Sequence, residues 1–182
     1  MNKAYETMRN FWLDAKNLLH KKEVPALGER KICIAGVEMA ATDDQGGIKN
    51  LMAAASSLGN ASLYFENNSA SGLGGFTGGA TSGPVRDKTL RLMQAAAISS
   101  GKLDAVASLP EQKDPSRVTL FAVSADGSIF AKELAEVQAR DPQNELYPFF
   151  AYTQQLIGAF REEQQPTAPV PPPSPAQEKK AE

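Results

Sequence analysis

The sequence predicts an α/β (or α+β) fold, a single domain in which a mixed sheet of about five strands carries packed helices. The expected order is α-β-α-β-loop-α-β-β-β-α. Three observations carry this reading. Residues 31–39, Lys-Ile-Cys-Ile-Ala-Gly-Val-Glu-Met, form a short continuous apolar run rich in β-branched side chains, the pattern of a buried strand. Residues 118–123, Val-Thr-Leu-Phe-Ala-Val, form a second such run, and Asp126-Gly127 just beyond it supplies the positive φ angles of a type I′ hairpin turn. At both ends of this region apolar residues recur with the spacing of an amphipathic helix.

The N-terminal helix is expected within residues 1–24. Tyr5, Met8, Phe11, Trp12, Ala15, Leu18 and Leu19 share one face, and Pro25 and Gly28 stop the helix. Lys16, Lys21 and Lys22 lie toward its C-terminal end, where the helix dipole favours cations. The core then runs over 25–163. After the first strand, Thr42-Asp43-Asp44-Gln45-Gly46-Gly47 breaks the chain, with the Asp residues placed to cap the next element. Residues 48–58 hold good helix formers with apolar positions at 48, 51, 52, 55 and 58, and Gly59-Asn60 serves as a C-cap. Residues 61–66, Ala-Ser-Leu-Tyr-Phe-Glu, complete a strand-helix-strand unit of about 36 residues, the size of a parallel crossover.

Residues 69–83 are read as a glycine-rich loop; with Pro84 the stretch holds six of the fourteen glycines, at 72, 74, 75, 78, 79 and 83. Gly83-Pro84 opens a helix with proline in its first turn, with Leu90, Met93, Ala97 and Ile98 at helical spacing and Gly101 at its end. Strands are expected at 103–109, 118–123 and 129–134, although 131–140 is also rich in helix formers. The last helix carries Leu146, Phe149, Phe150, Thr153, Leu156, Ile157 and Phe160 on one face and closes the core. Residues 164–182 have a different composition, with prolines at 166, 169, 171, 172, 173 and 175, and are expected to form a disordered tail.

Composition narrows the function classes. Apolar residues make up 42% and charged residues 22%, as in an ordinary globular protein, and a formal net charge of -2 speaks against neutralising a nucleic-acid backbone. Cys33 is alone, so an internal disulfide and a thiolate zinc cluster are excluded. No N-terminal apolar core of a signal peptide is present, and no apolar run is long enough to span a membrane. These features point to the cytoplasm. His20, the sole histidine, sits among lysines, and Cys33 lies within an apolar strand, so neither suggests nucleophilic catalysis.

One arrangement suggests a ligand. In a parallel crossover the strand ends share an edge, and here that edge would carry Glu38, Asp43, Asp44 and Glu66 beside the loop. Oxygen ligands of this kind suit Mg²⁺ with a nucleotide, and Gly74, Gly75, Gly78 and Gly79, followed by Arg86, could approach phosphate. The loop nevertheless lacks lysine and matches neither the P-loop nor the dinucleotide pattern. The preferred expectation is therefore a non-enzymatic adaptor or assembly subunit with no cofactor, contacting a protein partner or its own copies. Phe11 and Trp12 of the first helix, the glycine loop, and Pro169 and Pro172 of the tail are its contact elements. A nucleotide- or phosphate-binding protein, including a Mg²⁺-dependent hydrolase, is the alternative.

Overall fold

Antiparallel pairing organises the molecule. The computed structural model describes residues 1–15, 25–67, 69–78 and 83–164. In chain order the elements are α1 (Lys3–Leu13), β1 (Ile32–Thr42), β2 (Ile48–Ser56), β3 (Ala61–Glu66), β4 (Leu73–Gly78), α2 (Pro84–Ser99), β5 (Asp104–Val106), β6 (Arg117–Ser124), β7 (Ile129–Ala135), α3 (Glu136–Ala139) and α4 (Tyr147–Gln164). One seven-stranded sheet runs in the order β4-β3-β2-β1-β6-β7-β5, and every neighbouring pair is antiparallel. The fold is thus α+β on a single sheet, with more strands than the sequence suggests.

Two expectations fail on the same segment. Residues 48–56 form strand β2, not a helix, and β1-β2-β3 is an antiparallel meander with no parallel crossover. Alanine, leucine and methionine favour helix in isolation, but that preference is small beside burial on both faces of a sheet. Here Ala53 and Ala55 face one layer, Met52 and Ala54 face the other, and all four are inaccessible to solvent. Asp43 closes the β1–β2 hairpin turn instead of capping a helix, accepting the N–H groups of Gln45 and Gly47 at 3.0 and 2.7 Å.

The predicted glycine loop also contains a strand. Glycine is depleted in strands, yet β4 pairs with β3 over six positions, from Glu66 opposite Leu73 to Ala61 opposite Gly78. Its glycines have a packing reason. A Cβ on Gly74 would lie 2.4 Å from the Phe65 ring, and one on Gly75 would lie 2.6 Å from the Tyr64 ring. Both aromatic rings lie over bare backbone, a recurring way of stabilising glycine at a sheet edge.

Three layers result. On one face, Val37, Ala53, Leu63 and Leu120 pack with Leu92 and Met93 of α2 and with Phe149, Phe150, Leu156 and Phe160 of α4. On the other, Ile34, Met52, Phe121 and Val123 receive Tyr5 and Trp12 of α1. All seven apolar-face residues predicted for the last helix are buried. The predicted face of α2 is rotated, because Val85, Thr89, Leu92 and Met93 are buried while Leu90 and Ile98 are exposed. The strand expected at 103–109 shrinks to Asp104–Val106, and the helical alternative near 131–140 survives as the single turn α3. Leu18, Leu19 and the three lysines of the predicted N-terminal helix lie outside the described residues, as does the tail from 165 onward.

The β6–β7 hairpin is present, but its turn differs from the expected type I′. Ser124 to Gly127 forms a turn closed by the Gly127 N–H on the Ser124 carbonyl at 2.9 Å, and only Gly127 has positive φ, at 93°. This is a type I turn followed by a left-handed glycine. The Ser124 hydroxyl and the Ser128 N–H both donate to Asp126 and hold its carboxyl down at about 2, from an ordinary 3.8. A depressed carboxyl stabilises the fold above its unfolded value and loses that contribution as pH falls toward its folded value. Asp126→Asn should therefore flatten the acid limb of the melting curve between 3.8 and about 2, compared with wild type in a pH series of thermal melts.

Candidate functional site

The face of the sheet beneath α1 holds two of the four carboxylates that the sequence marks, Glu38 and Glu66. Alternation along β1 places Ile34, Gly36, Glu38 and Ala40 on this face, and β3 adds Ser62, Tyr64 and Glu66. Glu38 is fully buried beneath α1. Arg9 grips it with two nitrogens, Nε at 2.9 and 3.1 Å from the two carboxylate oxygens and Nη2 at 3.0 Å, while the Tyr5 hydroxyl donates at 3.1 Å. Arg9 Nη2 also donates to the carbonyls of Leu109 and Pro110 at 2.8 and 2.7 Å, tying α1, β1 and the segment before β6 together. Burial pushes the Glu38 carboxyl above its ordinary value, and Arg9 and Tyr5 pull it back. Burial and the Glu38 carboxylate beside it raise the Tyr5 phenol, which stays a neutral donor.

Glu66 does similar work at the start of α1. It accepts the backbone N–H of Asn2, and both the N–H and the side-chain amide of Asn50 at 2.9 Å. Burial alone would raise its carboxyl, but these donors outweigh it and the net direction is down. Asn2 in turn caps α1, its Oδ1 accepting the Tyr5 N–H at 2.9 Å. Asp43 sits in the β1–β2 turn, held below the usual carboxylate range by the N–H groups of Gly47 and Gln45 and by Lys49 at 3.7 Å. Asp44 is exposed in that turn. The parallel edge that would have joined the four carboxylates is replaced by antiparallel hairpins. Glu38 and Glu66 share the α1 face, and Asp43 and Asp44 belong to a turn. Among the described residues, no group of three or more His, Cys, Asp or Glu side chains is placed to hold a metal ion.

The remaining expected residues divide similarly. Gly74 and Gly75 lie under aromatic rings, and Gly78 faces Val85, Phe160 and Glu163. Gly79 lies outside the described residues, as do Pro169 and Pro172. Arg86 reaches the β2–β3 turn, donating to the Leu58 carbonyl at 3.2 Å and lying against Gly59. Cys33 is buried, its thiol donating to the Val123 carbonyl at 3.3 Å, and burial pushes it up to about 11.

Beside α1 the described residues leave part of the sheet uncovered. A groove of about 410 Å³ opens there between Phe11 and Trp12 on one side and Asn60, Ser62, Tyr64 and Thr77 on the other. Phe11 is 47% exposed and meets Trp12 edge to face, with ring centroids 6.5 Å apart. Trp12 itself is buried, and its indole N–H has no partner among the described residues, nor does the buried Ser56 hydroxyl in the groove wall. The sequence pointed to Phe11 and Trp12 but not to Tyr64, Ser62 or Arg9. Arg9 had a legible signal: a cation within the Tyr5–Trp12 stripe requires a buried acid, and Glu38 is the acid inside the apolar strand.

No family model, curated protein or solved structure matches the chain. Among the described residues, no helix is long and apolar enough to cross a membrane.

Proposed function

We propose that the protein is a non-enzymatic adaptor or assembly subunit that works through protein contacts, and that an extended segment of its partner adds to the outer edge of β4. The observation that supports this is the sheet order. β4 is terminal and, among the described residues, pairs only with β3, while β5 at the other end is three residues long. An edge strand of six residues presents unpaired N–H and C=O groups that invite strand addition. Gly75 and Thr77 on it are exposed, and it carries no charged side chain to discourage a neighbour. The location suggested by the sequence, the cytoplasm, is kept in this reading.

The test captures partners from lysate on the full-length protein and measures amide hydrogen exchange in the captured complex. Amides of 73–78 are expected to exchange fast in the free protein and slowly in the complex. A strictly monomeric protein that retains no partner, or protection confined to other segments, overturns the reading. A melting-temperature rise with nucleotide and Mg²⁺ that Asp43→Ala or Glu66→Ala abolishes would do so in favour of phosphate binding.

A further inference from the structure

The outer edge of β4 is self-complementary. At the start of the β3–β4 ladder the Asn67 N–H donates to the Gly72 carbonyl at 3.1 Å. The ladder then runs without a register shift from Glu66 opposite Leu73 to Ala61 opposite Gly78, so hydrogen-bonded pairs recur at every second residue. Gly74, Phe76 and Gly78 therefore turn their N–H and C=O groups toward β3. Leu73, Gly75 and Thr77 turn theirs outward, where no strand among the described residues receives them. Side-chain size follows the same alternation. Leu73, Gly75 and Thr77 share the α1 face, and on the opposite face Phe76 stands between Gly74 and Gly78.

An antiparallel neighbour related by a two-fold axis perpendicular to the sheet keeps each face on its own side, so α1-face residues meet α1-face residues. Placing that axis at Gly75 sets Leu73 opposite Thr77 of the second copy, Gly75 opposite its own equivalent, and Thr77 opposite Leu73. Each is a hydrogen-bonded pair that exchanges two bonds, so every outward group of β4 is satisfied. A shift of two residues carries Leu73 or Thr77 past the end of the other strand. On the opposite face the same register sets Phe76 against Gly74 of the second copy, a ring beside bare backbone. Residues 73–78 carry no charge, so the paired edges bring no like charges together. At the far end of the sheet β5 is only three residues long, so the pairing closes at two chains.

We propose that the chain that adds to β4 is a second copy of this protein, its β4 antiparallel in the Leu73–Thr77 register, with the two-fold axis at Gly75 and one continuous sheet through both copies. This rests on strand addition at β4 and names its partner.

Register-specific cross-linking of the full-length chain tests it. Leu73→Cys and Thr77→Cys are made separately, then mixed and oxidised in air, with the buried Cys33 left in place. In the proposed register their Cα atoms stand about 5.5 Å apart, within disulfide reach, whereas like positions of the two copies are offset by about 13 Å along the strand. The mixture is expected to cross-link about tenfold faster than either variant alone, read by non-reducing gel. Thr77→Pro removes an outward N–H and leaves the β3 ladder whole. Wild type should therefore scatter light as a dimer and this variant as a monomer. Thr77→Lys, at an exposed position, replaces it if its melting temperature shows a lost fold. Wild type that stays monomeric at its highest soluble concentration, a dimer that these substitutions leave intact, or equal cross-linking rates would each overturn the proposal. Strand addition survives such a result if a different chain captured from lysate protects 73–78 from exchange, and falls with it if that segment is never protected. The fast-exchanging free protein of that experiment is the monomer reached on dilution.

Discussion

Arg9→Ala is expected to destabilise the protein by about 3–5 kcal/mol, because it strands a buried carboxylate. Glu38 is inaccessible to solvent, and without the guanidinium it keeps, among the described residues, only the Tyr5 hydroxyl as a donor. The carbonyls of Leu109 and Pro110 lose a donor in the same step. Urea midpoints at unchanged slope give the loss directly. Pairing the change with Glu38→Leu, as Arg9→Met with Glu38→Leu, should recover most of it, since apolar pairs of similar volume often match buried ion pairs. The single variant should also acquire a pH signature. Burial already pushes Glu38 above its ordinary 4.5, and loss of Arg9 pushes it further. The unfolded chain then releases a proton near 4.5 that the folded chain still holds, so stability should fall as pH rises above that value. A loss within about 1 kcal/mol of wild type, the range of an exposed ion pair, would mean that α1 is not anchored through Arg9.

Phe150→Ala is expected to cost about 3–5 kcal/mol by a different mechanism, a cavity. The Phe150 ring is buried in the layer between α4 and the sheet, with Phe149, Leu156 and Phe160 as neighbours in the same cluster and the Arg140 guanidinium 5.5 Å from its centroid. Packed helices and a β-sheet relax little around a missing ring, so the lost contacts are not replaced. Phe150→Leu should recover most of the loss, and a thermal-melt series separates the two. If Phe150→Ala melts like wild type, α4 does not close this layer.

These two variants probe opposite faces of the sheet, and of the two interactions only the α4 packing was read beforehand. The α4 stripe from Leu146 to Phe160 announces its burial through its own spacing, because a helix repeats every 3.6 residues whatever it packs against. The Arg9–Glu38 pair brings together residues from distant parts of the chain, and only the sheet register puts them in contact. The candidate site suffered most from this. Glu38, Asp43, Asp44 and Glu66 were expected on one edge because 48–58 looked helical, and once that segment is a strand the edge disappears. Glycines 74 and 75 looked like a loop because their partners, Phe65 and Tyr64, belong to the neighbouring strand.

Elements with a local signal were legible in the residues themselves: α1 near Tyr5 and Trp12, β1, the β6–β7 hairpin, the proline-opened α2 and the phenylalanine face of α4. Tertiary structure alone decided that Ala53 to Ala55 form a strand, that β4 exists, and that the first four strands run antiparallel. The physical reason is one of scale. Helix preference amounts to less than about 1 kcal/mol per residue for these side chains, whereas burial between two layers, repeated along β2, exceeds it.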